Sequence, residues 1–595
     1  MALLKCALFL LLVVLFVTQS DGIWCNFGRF IESKNEMGVA TVVEKECVSE
    51  YCMSNYTNDG QDIAYSLSCD DGNKCTDVGC IEDHGTGSQV CCCNEDYCIH
   101  DDASKPIEYP LDGILMSSAT AAYQVEGAVD VDGRGPSIWD VWTKRPNVIN
   151  NNDTGEIACD SYHNWKEDIA LLKAMNVNQY RFSISWSRIF TDGTSDTLNP
   201  IGVQYYHDII DNLIENGIEP LVTMYHWDLP QPIGDTGGWI NPNTITKFAD
   251  YAEFLFKEYG EKIKKWITIN EPLMISEFEY CGEDLVHASG SFTPHCEWSV
   301  YVAAINLLRA HLTAWRIYES LDPSLNGGSI GIASGMTHFY ADSRNKNRAE
   351  AEAAAERMVD FKWNMFLHPI FSETGDWPDS LKQRLAKLSK LEGRGKSRLP
   401  EFTLDEIEGL KGSAQFIGVN FYSAKVVSSI IGQETNRWQY KQREYDSGTV
   451  IWPEKHWREI NVTNSWIHYT PYGLRALLNK INNLYPDVPI MVTENGVMDS
   501  LGEDLNDISR IHYIRGHLMA VSQAKHVDNV NVIGYTYWSL MDNFEWEDGY
   551  NTKFGLHRVD FKDPGRKRTP KASAHFFGKI IEQLKIEGFS PHQYW

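Results

Sequence analysis

The sequence has little positive charge and no apolar run long enough to cross a membrane. Lysine and arginine number 53 against 81 aspartates and glutamates, a formal net charge of -28. Nucleic acids are bound by clustered cations, and the densest basic cluster is residues 565–568, so the composition argues against a nucleic-acid partner. A transmembrane helix needs roughly 20 apolar residues, and no stretch reaches that length. We therefore expect a protein that does not span a membrane.

The first 22 residues have the pattern of a secretory signal peptide. Lys5 precedes an apolar stretch from Cys6 to Val17, and small or polar residues follow. We therefore expect a secreted, extracellular protein or one of the secretory-pathway lumen. Asn-x-Ser/Thr sequons, which can carry N-glycans in that compartment, begin at Asn55, Asn152 and Asn461.

Cysteine is scarce after residue 98 and dense before it. Ten of the 14 cysteines lie between Cys25 and Cys98, one is Cys6 near the N-terminus, and only three follow residue 98. A segment this short builds little hydrophobic core, so we predict a module at residues 23–101 held by as many as five disulfides. A zinc site is disfavoured because the spacings lack paired C-x2-C motifs and His84 is the only nearby imidazole. The disulfide connectivity stays open.

The ending of this module, CCCNEDYC, resembles small three-finger extracellular domains and also the nematode ET module. Ile99 departs from the three-finger pattern, in which an asparagine follows the last cysteine. The module is either a recognition or targeting unit for an unknown surface partner or a passive appendage. A short proline-containing linker, residues 99–110, follows it.

The remainder, residues 102–595, alternates apolar or β-branched runs with helical patterns. Eight strands are predicted at 114–116, 179–184, 220–225, 265–270, 329–333, 415–420, 489–493 and 532–537. Between them, Ile209, Ile210, Leu213 and Ile214 follow a helical period, and Gly217 can end that helix. Eight strands alternating with helices predict an α/β fold, a (β/α)8 TIM barrel, with insertions near 275–300 and 340–405.

Two glutamates stand at the ends of predicted strands, Glu271 in WITINEP and Glu494 in VTENG. A barrel of this type keeps its active site at the carboxyl ends of its strands. A glycosidic bond is broken by two carboxyl groups, one protonating the departing oxygen and the other attacking the anomeric carbon. Other strand ends carry polar or aromatic groups suited to sugar hydroxyls and C–H faces. These are Arg181, His226, Trp227, Tyr422, Trp538, Glu545 and Trp546.

From residue 107 to about 590 the chain resembles glycoside hydrolase family 1, the retaining β-glucosidases. The resemblance rests on ATAAYQVEGA, DGRGPSIWD, YHWDLPQ, WITINEP, FIGVNFY, VTENG and WSLMDNFEWEDGYNTKFGLHRVDF, in this order. The resemblance implies hydrolysis of β-D-glucosides, with β-galactosides or β-fucosides as further candidate substrates. The implied reaction requires no metal or cofactor.

The resemblance also implies residue roles. Glu271 is the general acid/base and Glu494 the nucleophile, which Arg181 and Tyr422 hold, while Asn270 bonds the sugar 2-hydroxyl. The implied glycone and leaving-group contacts are Gln124, His226, Trp227, Glu545, Trp546, Trp538 and Phe554, with Trp466 as the leaving-group platform.

Departures within the family narrow this interpretation. Glu271 stands where myrosinases have glutamine, which favours O-glycosides, and Glu545 would repel a phosphorylated sugar. Both catalytic glutamates are present, which disfavours the alternative of a catalytically silent sugar- or receptor-binding scaffold. We also expect a Cys281–Cys296 disulfide and a buried free thiol at Cys159.

Overall fold

The computed structural model describes residues 108–587 except 284–286, 289–294, 433–438, 455–456 and 461–465, together with the backbone of six strands between residues 23 and 93. The chain forms two compact units, the second spanning Glu108–Gly588. Two predictions lie outside the described residues, the signal peptide and the sequon at Asn461. The predicted disulfides of the cysteine-rich module lie outside the described side chains. Asn152 is described and exposed.

The six N-terminal strands form one antiparallel sheet. Their bounds are Ile23–Ser33, Glu36–Cys47, Cys52–Asn58, Asp62–Cys69, Gly79–Asp83 and Ser88–Cys93. Numbered along the chain, they are ordered 2-1-4-3-6-5 in the sheet.

The second unit is a closed barrel of eight parallel strands, which confirms the predicted TIM barrel. The barrel strands are β1 Leu115–Ala119, β2 Gln179–Ser183, β3 Glu219–Tyr225, β4 Lys265–Asn270, β5 Ser329–Gly335, β6 Phe416–Asn420, β7 Ile490–Asn495 and β8 Val532–Trp538. Each strand pairs with the next along the chain, and β8 pairs with β1 to close the ring. All eight predicted strands are present.

Strand β1 continues further than predicted. The sequence indicated residues 114–116, but pairing with β8 continues through Ser118 opposite Tyr537 and Ala119 opposite Trp538. The Ser118 hydroxyl donates to the Tyr537 carbonyl at 3.2 Å, so a polar side chain is satisfied inside the barrel wall. Because small serine side chains can form hydrogen bonds within the barrel wall, the strand extends beyond the apolar residues that predicted it.

Helices pack outside the barrel and connect its strands. The longer ones are Ser161–Ala174, Pro200–Glu215, Asn243–Tyr259, Cys296–Ser320, Arg348–Phe361, Asn364–Phe371, Asp379–Leu391, Pro471–Leu484, Ile508–His526 and Ala572–Gln583. Shorter ones are Ala122–Val125, Ile138–Trp142, Trp186–Ile189, Gln231–Gly234, Pro272–Met274, Pro323–Asn326, Leu404–Leu410 and Gln442–Ser447. None of the described helices is long and apolar enough to cross a membrane.

The helix Pro200–Glu215 shows how sequence signals set the element bounds. The Asn199 side chain accepts a hydrogen bond from the backbone N–H of Ile201, and Pro200 occupies the first turn. Gly217, at φ +72°, reverses the chain after the last turn, as expected. All four residues of the predicted helical period lie in this helix; Ile209, Ile210 and Leu213 are buried, and Ile214 is 46% exposed.

The barrel interior is divided into an apolar end and a polar end. An apolar layer of Leu221, Ile267, Ala333, Phe416 and Met491, with Leu115 and Ile533 against it, draws on seven of the eight strands. The predicted insertion at 340–405 carries the helices between 348 and 391, and a small sheet of Phe339–Ala341, Lys425–Ser429 and Thr449–Trp452 lies beside it. These additions follow the carboxyl ends of β5 and β6 along the chain, at the end of the barrel where polar residues gather.

Candidate active site

Glu271 and Glu494 lie at the carboxyl ends of β4 and β7. The backbone N–H of Glu271 donates to the Ala333 carbonyl at 2.8 Å, which continues the ladder to β5. Its φ of +49° then turns the chain, and Pro272 opens a short helix. Glu494 is still within β7 and pairs with Asn420 of β6. Both glutamates are at least nine-tenths buried.

Glu494 is held by a cation, Arg181, and a phenol, Tyr422. Arg181 Nη1 donates to Glu494 Oε1 at 2.7 Å, and the Tyr422 hydroxyl donates to Oε2 at 2.7 Å. Arg181 is itself fixed, because it also donates to the Thr493 carbonyl, to Thr223 Oγ1 and to Asn270 Oδ1 at 2.7 Å. Both oxygens of Glu494 therefore have charge-assisted or short partners that favour the ionised carboxylate.

Glu271 is oriented by a residue that the sequence analysis did not single out, Asn420. Asn420 Nδ2 donates to Glu271 Oε1 at 2.9 Å and to Asn270 Oδ1 at 3.0 Å. Its own Oδ1 accepts from the Thr493 hydroxyl at 2.7 Å, which fixes the amide orientation. The available signal was its place at the end of a predicted strand, two residues before Tyr422.

The electrostatics place the proton on Glu271. Burial raises its pKa to about 8, and the neighbouring charge of Glu494 acts in the same direction. Burial also raises the pKa of Glu494, but Arg181 and the hydrogen bonds from Tyr422 and Asn420 oppose it. One carboxylic acid and one carboxylate thus share a buried site.

A second group of predicted residues forms a polar pocket wall. Gln124 Nε2 donates to Asn543 Oδ1 at 3.0 Å, to the Phe544 carbonyl at 2.9 Å and to Glu545 Oε2 at 3.3 Å. Gln124 Oε1 is buried without a hydrogen-bond partner among the described residues, so it can accept from a ligand hydroxyl. Burial first, then the charges of Asp548 and Glu494, raise the pKa of Glu545 well above its usual range.

His226 links this wall to the carboxyl pair. Asn270 Nδ2 donates to its Nε2 at 3.1 Å. Burial and the charge of Arg181 hold the pKa of His226 well below its ordinary value, so the imidazole is neutral. Its ring stacks on Trp538 at 5.8 Å and on Trp546 at 6.3 Å between centroids.

The remaining predicted aromatic residues complete the site. The Trp227 indole N–H donates to the Asn270 carbonyl at 3.1 Å, and its ring lies 4.7 Å from Trp546. Trp466 and Phe554 pack edge-on against Tyr422, at 5.3 and 5.9 Å. Trp466 is 49% exposed, at the mouth of the site. The structure thus brings every predicted site residue into one connected network.

The two cysteine predictions outside the N-terminal module are confirmed. Cys281 and Cys296 form a disulfide, and Cys159 is a buried free thiol. In the described part of the chain, the only group of potential metal ligands is Cys281, Glu283 and Cys296. Both sulfurs are used in the disulfide, so this group offers no thiolate to a metal ion.

Comparison with known proteins agrees with this site. The sequence model described as Glycosyl hydrolase family 1 matches residues 107–586. Human lactase/phlorizin hydrolase is 40% identical over 470 residues, 79% of this chain and 24% of that protein. Human cytosolic beta-glucosidase is 38% identical over 479 residues, which covers 80% of this chain and 98% of the relative.

A solved structure described as aphid myrosinase superimposes with a TM-score of 0.73 at 38% identity. The superposition covers 80% of this chain and 99% of the aphid myrosinase chain. The chain thus spans about a quarter of human lactase/phlorizin hydrolase and nearly the whole length of the cytosolic beta-glucosidase and the aphid myrosinase.

Proposed function

The chain belongs to glycosyl hydrolase family 1, and from that membership we propose that it is a secreted retaining β-glycosidase acting on β-D-glucosides. β-Galactosides and β-fucosides are further candidate substrates. The observation that carries the proposal is the buried pair of Glu271, protonated, and Glu494, held as a carboxylate by Arg181 and Tyr422. A pair with separated proton affinities is what acid and nucleophile require.

In the first step Glu494 attacks the anomeric carbon and forms a glycosyl ester. The bond from that carbon to the leaving oxygen breaks, and Glu271 transfers its proton to this oxygen. Asn420 holds the Glu271 carboxyl in one orientation, which lowers the entropic cost of that transfer. Asn270, fixed by Arg181 and Asn420, is placed to bond the 2-hydroxyl of the sugar.

In the second step the roles of Glu271 reverse. The ester at Glu494 carries no charge, so one cause of the raised pKa of Glu271 is removed. Glu271 then takes a proton from water, the water oxygen bonds to the anomeric carbon, and the ester bond to Glu494 breaks. Net retention at the anomeric carbon follows from two successive displacements.

The pocket wall supplies the recognition of an uncharged sugar. Gln124 Oε1 accepts from a hydroxyl, and Glu545 and Trp546 bind others, with Trp538 and Phe554 beside the ring. Trp466 offers an exposed aromatic face to the leaving group. A phosphorylated sugar is disfavoured because the buried wall presents the acidic Glu545 to the sugar and not a cation that would pair with a phosphate.

Secretion and glycosylation are supported by the sequence of residues 1–22 and by the exposed position of Asn152. The cysteine-rich module at 23–101 is proposed to bind a surface partner and to leave hydrolysis of small glycosides to the barrel. Deletion of residues 23–101 should then keep activity on an aryl β-glucoside and abolish retention on the target surface.

The proposal is tested by comparing wild type with Glu494→Ala on an aryl β-glucoside, with and without azide. We expect turnover by wild type, loss of turnover in the variant and azide rescue that gives the α-glycosyl azide. Glu258→Ala, at a carboxylate paired with His207 on the outer surface, is the matched control and should keep full activity. An aryl β-thioglucoside included in the panel distinguishes an O-glycosidase from a myrosinase-like activity.

Absence of turnover on every β-glycoside by the folded wild type would favour the silent-scaffold alternative. Azide rescue that gave the β-anomer would exclude the double displacement.

A further inference from the structure

A histidine outside the predicted site lies behind its aromatic wall. His287 belongs to the segment closed by the Cys281–Cys296 disulfide and is 2% exposed. Its ring centroid is 5.0 Å from that of Trp227 and 5.5 Å from that of Trp139. The acid and nucleophile roles do not explain an imidazole that is buried this completely in the insertion near residues 275–300.

His287 reaches across to the turn that follows β8. Its Nε2 lies 3.3 Å from Oε2 of Glu547, whose side chain is 18% exposed. Glu547 directly follows Trp546 in the 3-10 turn Trp546–Asp548, and the His287 and Trp546 rings stack at 6.3 Å. The contact therefore joins the insertion after β4 to the turn that carries Glu545 and Trp546.

The base of the insertion is anchored independently of this contact. The disulfide closes the segment, and the Tyr280 hydroxyl accepts from the backbone N–H of Trp239 at 2.7 Å. The Ser299 hydroxyl donates to the Tyr280 carbonyl at 2.5 Å, and the backbone N–H of His287 donates to the Phe278 carbonyl at 3.2 Å. His287 is thus presented from a fixed support.

The turn that it contacts needs such support. Trp546 has a φ of +46°, in the left-handed region that a bulky side chain rarely adopts. Such a conformation persists only where its surroundings hold it. Glu545, Glu547 and Asp548 also bring three acidic groups together, and the charges of Asp548 and Glu547 both act on Glu545. The contact with His287 gives one of these carboxylates, that of Glu547, a fixed partner.

From these contacts we propose that His287 is a positioning residue: through Glu547 and Trp546 it sets where Glu545 and Trp546 meet the sugar hydroxyls, and so sets the preference among β-glycosides. The inference rests on the proposed function. It assigns His287 no contact with the reacting atoms.

The test compares His287→Ala and His287→Gln with wild type on aryl β-D-glucoside, β-D-galactoside and β-D-fucoside. The first two sugars differ only in the orientation of the 4-hydroxyl, and the last two only in the presence of the 6-hydroxyl. We expect His287→Ala to lower kcat/KM on the glucoside roughly tenfold, mainly through KM.

Two ratios of kcat/KM are compared, glucoside to galactoside and galactoside to fucoside. At least one of them should shift by about threefold or more, because Glu545 and Trp546 meet hydroxyls and not the anomeric carbon. His287→Gln, which keeps an N–H donor for Glu547, should recover part of the ratio. The pH profile should stay in place, because Glu271 and Glu494 keep their partners.

His295→Ala is the matched control, since this histidine of the same insertion is exposed and its ring contacts Trp298. It should leave both ratios unchanged. A double-mutant cycle with Glu547→Ala isolates the contact: if His287 acts through Glu547, the double variant shifts the ratios no further than His287→Ala alone.

Equal loss on all three sugars, or additive effects in the cycle, would overturn the positioning role and indicate a purely structural histidine. A folded wild type inactive on all three would refute the proposed function itself. An active wild type with unchanged ratios in His287→Ala would refute only the inference about His287.

Discussion

The hydrogen bond from Tyr422 to Glu494 can be removed almost without changing shape, by Tyr422→Phe. The bond is 2.7 Å long, and its acceptor is a buried carboxylate. A hydrogen bond to a charged group contributes about 1.5–3 kcal/mol. Because this bond favours the ionised carboxylate, its loss should raise the apparent pKa of Glu494.

The sign follows from the protonation state that each glutamate needs. Glu494 attacks as a carboxylate, and the Tyr422 bond lowers its pKa, so the substitution raises that pKa. Activity is lost as the pH falls through the pKa of Glu494, so the acidic limb of kcat/KM moves to higher pH. Glu271 must be protonated and has a pKa of about 8, so the basic limb stays near pH 8.

The assay is the pH dependence of kcat/KM on an aryl β-glucoside. We expect Tyr422→Phe to narrow the bell-shaped pH profile of kcat/KM on its acidic side. We also expect the maximal kcat/KM to fall by about 10–100-fold. Tyr259→Phe is the control, because it also removes a hydroxyl from a buried tyrosine, but one that donates to the Val203 carbonyl away from the site. An acidic limb that does not move, or a basic limb that moves in its place, would refute the assignment of the two glutamates.

Four further outcomes are expected. Glu271→Gln should remove the basic limb and lower the rate by about 10²–10⁴-fold on poor leaving groups, with far smaller losses on activated ones, as measured across a leaving-group series. Joint replacement of Cys281 and Cys296 by serine should lower the free energy of unfolding by about 3 kcal/mol in denaturant titrations, since the disulfide closes a loop of 15 residues. Trp466→Ala should raise KM for aryl leaving groups and leave Tm unchanged, because the side chain is half exposed. Burial raises the pKa of the Cys159 thiol, so alkylation at pH 8 should modify it only after unfolding, and rapid labelling of the native protein would contradict this.

The fold was accessible from the sequence because its signal is local. Most strands of the barrel contain short runs of β-branched or apolar residues, and some helices carry their own periodicity and caps, as in Pro200–Glu215. The polar end of the barrel was accessible for the same reason, since Glu271 and Glu494 directly end such runs. The parallel barrel then requires these ends to converge.

Local signals were weaker where a residue's environment comes from distant elements. Ser117 and Ser118 extend β1 because their backbone pairs with β8, whose Tyr537 carbonyl also accepts from the Ser118 hydroxyl. Ile214 follows the helical period but faces solvent. Neither outcome is visible in neighbouring residues, because both depend on which surface packs against the element.

The sequence by itself determined the barrel, the pair of glutamates and the set of polar and aromatic residues around them. The tertiary structure decided which of these groups touch: that Asn420 orients Glu271 across 149 residues of chain, that burial and Arg181 separate the two proton affinities, and that His287 supports the turn at Trp546. The physical reason is that hydrophobic periodicity is a property of neighbouring residues in the sequence. Hydrogen-bond partners and desolvation arise only when closure of the barrel brings the ends of distant strands together.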